Sequence, residues 1–501
     1  MAGLMRSVFP GEKVARAVLP RLEFGLFADE ITAAVAAGCR ISALFGLPSD
    51  GGAELVAVLA DPASGDLRIA TSTIGDSFPA LTPRVPQAHL FEREVAEQCL
   101  VTPVGHPWLK PVRFAPSLRP AAGAAAAPPA IGIAEFFAVA GEEVHEVAVG
   151  PVHAGVIEPG HFRFQCHGER VFHLEISLGY QHRGIERALV AGDARRALHL
   201  VETASGDTTI GHATAFCEVI ESLSATAVPP RAEVIRAIAL ELERLANHVG
   251  DLGALAGDVA FLPTASFCGR LRGEVLNLTA LLCGNRFGRS LVRPGGVGFD
   301  LDSGRATELL ARLEAAMRDV RQAVEMMFDS PSVQSRFEGT GVLTPAQAVE
   351  IGLVGVAARA CGLERDARME FPGGAYRFAQ VPVSTADSGD VLARALVRWL
   401  ELQRSAAFIR EQVATLPAGP VLAAPGALAG DSLAVSLVEG WRGEICHVAM
   451  TDGEGRLGRV KIVDPSFHNW FGVALAMRGG EIADFPVCNK SFNLSYCGFD
   501  L

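Results

Sequence analysis

The chain has 501 residues, of which 49% are hydrophobic, so a large buried core and more than one domain are expected and a disordered chain is excluded. Its 56 acidic side chains outnumber the 44 basic ones, for a net charge of -12, and no tract gathers the Lys and Arg residues. Nucleic acid is therefore not expected as a partner.

Targeting and membrane signals are weak. The ten cysteines are scattered without a CxxC pair, which indicates a reducing compartment. Residues 1–20 carry charges within their apolar stretch and have no small-residue cleavage site, so they do not predict a signal peptide. The longest uncharged stretch, residues 120–134, is mostly alanine interrupted by proline and glycine. It predicts a linker, and membrane association is expected only through partner subunits.

The front of the chain predicts a small α/β domain over residues 1–115. It contains the β-type runs ELVAVLAD and LRIATSTI and the helix-like LFADEITAAVAAGC. Residues 116–146 form an Ala/Pro-rich linker and lead-in. Residues 147–501 then predict a mainly helical domain with small antiparallel sheets, so the fold class is α+β.

A histidine-rich β-hairpin is predicted at the start of the second domain. The stretch GHFRFQCHGERVFHLEI alternates around a turn near Gly168, with Phe162 and Phe164 on one face. Six of the 13 histidines fall between residues 145 and 182, which raises the question of a zinc site. Because His161 and His173 fall on the polar faces and the spacings match no compact ligand set, structural histidines are favoured over metal ligands.

Helical periodicity begins near residue 185. RAEVIRAIALELERLANHV carries one continuous apolar stripe, and similar stripes cover 270–283, 305–328 and 389–415. The alternating segments GEICHVAMTD and GRVKIVDP then return the chain to β-structure.

The stretch ETASGDTTIGHATAF, residues 202–216, allows two interpretations. In the first, Ser205, Asp207 or Thr208 caps a helix by accepting a hydrogen bond from a free N–H, and His212 is a satisfied core histidine. In the second, the stretch is what remains of a metal or substrate site.

Several stretches in order over residues 147–501 resemble the large subunit of membrane-bound group 4 nickel–iron (NiFe) hydrogenases and its relative, the 49 kDa quinone-site subunit of respiratory complex I. They include GPVHAGVIEPGHFRF, GYQHRGIERAL, ELERLANHVGDLGAL, RGEICHVAMTDGEGRLGRVKIVDPSFHNW and GGEIADFPV. FEREVAEQCLVTPVGHPWLKPVRF is similar to the signature of the complex I 30 kDa subunit. A fusion of these two modules is typical of formate hydrogenlyase and hydrogenase-4 large subunits, so the resemblance is to hydrogenase-4 component G.

The resemblance implies that the nickel–iron ligands are lost. In the hydrogenases a CGxC and a DPCxxC pair hold the metals, because soft thiolates suit nickel and iron. Ungapped counting places these four positions, none of them cysteine, at Ser205, Thr208, Ser495 and Gly498. Cys497 lies one residue out of place. No nickel and no other metal bound by this chain are expected.

The complex I relatives imply a quinone site instead. Their quinone headgroup is bound by a hairpin histidine and by a tyrosine whose position is occupied here by Gly206. The hairpin offers His153, Glu158 and His161, and Tyr496 is a candidate for the missing phenol, the alternative being a buried structural tyrosine. The position of Glu158 is that of the hydrogenase proton-relay glutamate, the alternative being an exposed loop residue. Asp207 and His212 complete the candidate catalytic residues.

The resemblance implies a peripheral subunit on the cytoplasmic side of the cell membrane, within a complex I-like or hydrogenase-4-like energy-converting complex. Its expected partners are a small subunit that holds iron–sulfur clusters and antiporter-like membrane subunits. The chain is expected to pass electrons from such a cluster to a quinone-like acceptor. The alternative is a catalytically silent subunit that couples or anchors the complex.

Overall fold

The structure is a computed structural model that describes residues 3–119, 130–153, 157–192 and 194–501. Its strands are β1 Arg6–Val8, β2 Lys13–Ala15, β3 Arg21–Leu22, β4 Arg40–Ser49, β5 Gly52–Asp61, β6 Asp66–Ile74, β7 Ser77–Pro79, β8 Thr102–Val104, β9 Val144–Val149, β10 His161–His167, β11 Arg170–Ser177, β12 Val292–Arg293, β13 Gly296–Val297, β14 Ser432–Glu439, β15 Glu444–Thr451 and β16 Leu457–Val463.

The α-helices are α1 Phe24–Ala36, α2 His89–Cys99, α3 Ile185–Ala191, α4 Ala194–Val201, α5 Thr209–Ser224, α6 Pro230–Asp258, α7 Leu262–Cys283, α8 Ser303–Phe328, α9 Pro331–Phe337, α10 Pro345–Glu350, α11 Gly355–Arg359, α12 Ala367–Glu370, α13 Val391–Ala414, α14 Pro465–Ala476, α15 Phe485–Phe492 and α16 Tyr496–Asp500. The α+β fold class is confirmed by this mixture of helices and small sheets. In the described ranges, no helix is long and apolar enough to cross a membrane.

The N-terminal sheet has the order β1-β6-β5-β4, with β3 beside β6. The predicted runs ELVAVLAD and LRIATSTI are β5 and β6, and the predicted helix is α1. Strand β4 was not predicted from the sequence. It pairs with β5 along almost its whole length and is buried over its first seven residues.

Strand β2 is not part of this N-terminal sheet and pairs instead with a strand far along the chain. It pairs antiparallel with β14, with Val14 opposite Leu433, so the second sheet has the order β16-β15-β14-β2. One hydrophobic core extends from Val8 to Phe499 and includes residues on both sides of the linker. The domain boundary at residue 115 stays a prediction. The pairing of β2 with β14 joins residues on the two sides of this boundary.

The predicted hairpin is confirmed as β10 and β11, with Gly168 in the left-handed conformation at its turn. Phe162 and Phe164 are buried on one face, as expected from the alternation. His161 lies on the opposite face with Arg163 and Gln165, as predicted, and it is a buried, hydrogen-bonded histidine. His161 is 8% exposed, because the ring of Phe136 lies 5.0 Å from the imidazole ring and Arg163 donates to it.

The helical core is built around α6, which packs against α7 and α13. The predicted apolar stripe of α6 is buried at every turn from Ile235 to Leu255. The predicted stripes at 270–283, 305–328 and 389–415 correspond to α7, α8 and α13.

A buried network of ionised side chains joins α6 to α11, α12, α13 and β14. Arg359 forms an ion pair with Glu401 at 2.7 Å and donates a hydrogen bond to Glu439 at 2.6 Å, and His248 lies 2.8 Å from Glu401. The arginines hold the pKa of Glu401 well below its usual range, although burial acts to raise it. The members are Glu241, Arg244, His248, Arg359, Asp366, Arg368, Glu401 and Glu439. Since an unpaired buried charge is costly, the network fixes these elements relative to one another.

Replacing Glu401 with alanine is expected to destabilise the protein by about 3–5 kcal/mol, because Arg359 would keep a buried charge without that partner. The matched control is Glu314→Ala, which removes a half-exposed partner of Arg410 and is expected to cost less than about 1 kcal/mol. Urea unfolding of the two variants measures the difference. Equal shifts of the unfolding midpoint would contradict a dominant role for the network.

Candidate functional site

The two chain segments that correspond to the hydrogenase ligand pairs meet in space. Ser205, in the loop before α5, and Ser495, just before α16, place their hydroxyl oxygens 3.0 Å apart. Both residues are buried, and the Ser495 hydroxyl also accepts the N–H of Gly498 at 2.9 Å and so caps α16. The ungapped count along the sequence is therefore consistent with the geometry at these two positions.

A bidentate ion pair holds the Ser205 loop in place. Arg442 donates to both carboxylate oxygens of Asp207 at 2.6 and 2.8 Å, and its guanidinium lies 3.8 Å from the ring centre of Trp441. Trp441 donates in turn to the hydroxyl of Thr208 at 3.1 Å. Burial acts to raise the pKa of Asp207, but Arg442 lowers it below its usual value. We call Ser205, Asp207, Thr208, Arg442 and Ser495 the serine cluster.

The prediction that Ser205, Asp207 or Thr208 caps α5 is wrong. No side chain of the loop accepts an N–H of the first turn, because these side chains bond to one another, to Arg442 and to Trp441. The cap comes from α6 instead. The carboxyl of Glu243 accepts the N–H of Ile210 at 2.7 Å and that of Gly211 at 3.1 Å. A capping group from another helix cannot be read from local sequence.

His212 is fully buried and both of its ring nitrogens are bonded, as expected for a satisfied core histidine. Nδ1 lies 3.0 Å from Nε2 of His447, and Nε2 lies 3.0 Å from a carboxylate oxygen of Asp464. Burial acts to raise the pKa of Asp464, but the hydrogen bond from His212 lowers it. Burial holds the pKa of His447 well below its usual range. These directions describe an ionised Asp464 carboxylate and a neutral His447 imidazole.

Gly498 occupies a position that has no room for a side chain. A Cβ added there would lie 2.7 Å from the carboxyl carbon of Asp464, and that carboxyl is already bonded to His212 and to the N–H of Ser466. Gly206, in the other segment, has no atom within 4 Å of an added Cβ. The two glycines therefore differ sharply in what surrounds them.

The residues at the four ligand positions do not fit a nickel–iron centre. They offer hydroxyl oxygens and one glycine, whereas soft thiolates bind these metals. Burial raises the pKa of the nearest thiol, that of Cys497, to about 11, so it stays protonated. Among the described residues, no group of three or more His, Cys, Asp or Glu side chains has a metal-binding arrangement.

Three other predicted site residues lie beside the cluster. Glu158 accepts the backbone N–H of Cys497 at 3.3 Å, and the ring centres of His153 and Tyr496 are 5.9 Å apart. Nε2 of His153 is buried without a hydrogen-bond partner in the described part of the chain. Tyr496 packs against Trp470, and burial raises its pKa to about 12, so it is a neutral donor.

His161 is not joined to the cluster by any hydrogen bond in the described ranges. Its Nδ1 lies 3.4 Å from the carbonyl oxygen of Gly150, and Arg163 donates to its Nε2 at 3.3 Å. A site role for His161 stays a prediction.

The sequence reasoning missed the partners that shape the site. Arg442, Glu243, His447 and Asp464 come from α6 and from the segments around β15 and β16, all distant in sequence from the Ser205 loop. One signal was available: RGEICH and VDPSF lie within the quoted similar stretches and contain Arg442, His447 and Asp464.

Residues 258–431 and 425–500 match the family described as "Respiratory-chain NADH dehydrogenase, 49 Kd subunit". The chain belongs to the family of large subunits shared by membrane-bound hydrogenases and respiratory complex I.

Individual relatives cover both branches of this family. The chain is 32% identical to the carbon monoxide-induced hydrogenase of Rhodospirillum rubrum, over 70% of this chain and 97% of the relative. It is 28% identical to hydrogenase-4 component G of Escherichia coli, over 84% of this chain and 75% of that protein. It is 29% identical to NADH-quinone oxidoreductase subunit 4 of Thermus thermophilus, over 70% and 92% of the two chains. The predicted similarity to both branches is confirmed.

Gly498→Ala is expected to lower stability by about 1–3 kcal/mol, because the new methyl group must displace the bonded Asp464 carboxylate. Gly206→Ala, in the open part of the same site, is expected to change stability by less than about 0.5 kcal/mol. Thermal unfolding midpoints of the two variants check this contrast. A Gly498→Ala variant with unchanged stability would contradict the close packing around Gly498.

Proposed function

We propose that this chain is a peripheral-arm subunit of a membrane-bound, complex I-like or hydrogenase-4-like energy-converting oxidoreductase, without a nickel–iron centre. It passes electrons from an iron–sulfur cluster in a partner subunit to a quinone-like acceptor. Its relatives include a carbon monoxide-induced hydrogenase and an NADH-quinone oxidoreductase subunit, which supports the subunit role.

The observation that carries the quinone proposal is that Nε2 of His153 is buried without a hydrogen-bond partner among the described residues, with its ring beside that of Tyr496. A quinone headgroup has two carbonyl oxygens, and each needs a hydrogen-bond donor as negative charge develops on it during reduction. A neutral histidine and a neutral tyrosine can supply these donors. Glu158, at the edge of the serine cluster, is placed to exchange protons with the acceptor.

A second candidate function is supported by the serine cluster itself. Ser205, Thr208 and Ser495 are at most 4% exposed and bond to neighbouring protein groups, so the centre of the former metal site is filled. This favours a catalytically silent subunit that couples or anchors the complex. A measurement of quinone binding distinguishes the electron-transferring subunit from the catalytically silent one.

The proposed assembly places the chain on the cytoplasmic side of the cell membrane. Its proposed partners are a small subunit with iron–sulfur clusters and antiporter-like membrane subunits. Residues 1–115 are proposed to correspond to the complex I 30 kDa subunit, with β2 tying that module to the rest of the chain.

His153→Ala and Tyr496→Phe are each expected to weaken binding of a short-chain ubiquinone to the purified complex by about tenfold, the equivalent of one lost hydrogen bond to the headgroup. His167→Ala is the matched control, because this half-exposed histidine of the same hairpin pairs with Glu143 away from the site. Titration with the ubiquinone measures the affinities. Equal affinity in all variants, or no binding in the parent complex, would favour the silent subunit.

Metal analysis of the purified complex is expected to show nickel well below one atom per chain, since the four ligand positions offer no thiolate. A stoichiometric nickel content that persists after dialysis against a chelator would overturn the assignment of Ser205, Thr208, Ser495 and Gly498 as the former ligand positions. Ser205→Ala supplies the control, since it removes one hydroxyl and is not expected to change the nickel content.

A further inference from the structure

A large cavity lies at the opposite end of α5 from the serine cluster. It has a volume of about 1050 Å³ and is lined by residues of α5, the start of α6, the N-terminal segment 9–13 and the loop 371–377. Thr214 and Glu218 of α5 are among its walls. Since a helix rises 1.5 Å per residue, Glu218 lies about 14 Å along the axis from Thr209, where α5 begins.

Polar groups continue from this cavity into the core. Ser436 of β14 donates its hydroxyl to Glu218 and is itself fully buried. Ser436 is also the direct cross-strand partner of His447 on β15. Side chains of such partners share one face of the sheet, with Cβ atoms about 4.5–5.5 Å apart. Glu218 and His447 are therefore adjacent to the same serine.

Three buried polar atoms around the cavity and the core beside it have no hydrogen-bond partner among the described residues. They are the hydroxyl oxygens of Thr214 and Ser222 and Nδ1 of His447. Thr214 is 7% exposed, lines the cavity, and lies one helical turn from Glu218 on the side nearer to the serine cluster. Buried polar groups are normally bonded, so these unpartnered atoms point to bound water.

The hydrogen bonds beyond His447 have a defined direction. Asp464 is ionised, so His212 carries its proton on Nε2 and donates it to the carboxylate. With His212 as the neutral Nε2–H tautomer, its Nδ1 accepts from the Nε2–H of His447. Nδ1 of His447, a residue directly opposite Ser436 in the sheet, is then an acceptor with no hydrogen-bond partner among the described residues.

We propose that Glu218, Ser436, His447, His212 and Asp464 form a proton path from the cavity to the serine cluster. A proton from Glu218 reaches Nδ1 of His447 through the Ser436 and Thr214 hydroxyls and bound water. His447 releases its Nε2 proton to Nδ1 of His212, which releases its own Nε2 proton to Asp464. Each imidazole gains one proton and loses one, so both rings change tautomer and keep their charge. Glu218 becomes a carboxylate until it takes up a proton from the cavity, and Asp464 becomes neutral.

The groups around Glu218 and Asp464, the two ends of the proposed path, agree with proton transfer between them. Burial raises the pKa of Glu218 to about 7, so the carboxyl both takes up and gives off protons near neutral pH. The groups that face Glu218 are Ser436, Glu221, Arg236 and Arg377. At the other end, the Asp464 carboxyl lies directly beside Gly498. The path enters from the side opposite to Glu158, so the two carboxyls are independent proton sources.

Delivery of the proton to a reduced acceptor rests on the proposed function, but the path itself does not. Its test is the exchange of the histidine ring N–H protons with solvent, measured by NMR on the purified complex with ¹⁵N-labelled histidine. A His447→Gln variant assigns its ring signal. In the parent protein, both ring protons are expected to exchange faster than the backbone amide of Val448, which lies in the same buried strand.

Ser436→Ala and Glu218→Gln are expected to slow both ring exchanges by about tenfold or more. Ser436→Thr keeps a hydroxyl and is expected to restore the parent rate. Ser222→Ala is the matched control, because this residue also lines the cavity and lies outside the path.

Ring protons that exchange no faster than the Val448 amide would overturn the proposal, and so would rates unchanged by Ser436→Ala. Either result would leave ubiquinone binding untouched. Loss of ubiquinone binding with intact ring exchange would instead refute the proposed function alone.

Discussion

About two turns of α6, from Glu241 to His248, support both the helical core and the candidate site. On one side, Glu241 and Arg244 belong to the buried ionic network. On the other side, Glu243 caps α5 and Asn247 donates to the backbone oxygen of Asp207. Because the buried charges need their partners, α6 cannot shift without exposing or unpairing them. The position of the Ser205 loop therefore depends on the segment of α6 from Glu241 to His248.

The candidate site is held together by a network of hydrogen bonds and one ion pair. Two segments that a metal centre would hold together are joined by the Ser205–Ser495 contact and by Arg442, which bonds to Asp207 and to the backbone oxygen of Asn493. These contacts are directional and close-packed. The proposed quinone contacts, His153 and Tyr496, lie at the edge of this network.

The sequence predicted the elements with strong local patterns. The stripe of α6 and the β10–β11 hairpin followed from periodicity, and the ungapped count of the ligand positions is consistent with the contact between Ser205 and Ser495. The missing parts depend on contacts between distant segments. No local pattern shows that β2 pairs with β14 or that Glu243 caps α5. The burial of His161 likewise depends on Phe136, which lies in the lead-in before the hairpin.

The central claim is that this family member binds a quinone-like acceptor beside a former metal site that no longer holds metal. The most direct measurement is an experimental structure of the purified complex with a bound short-chain ubiquinone. The account predicts the headgroup within hydrogen-bonding distance of Nε2 of His153, with the Ser205 and Ser495 hydroxyls still bonded to each other. A metal ion between those two serines, or a headgroup bound elsewhere, would contradict it.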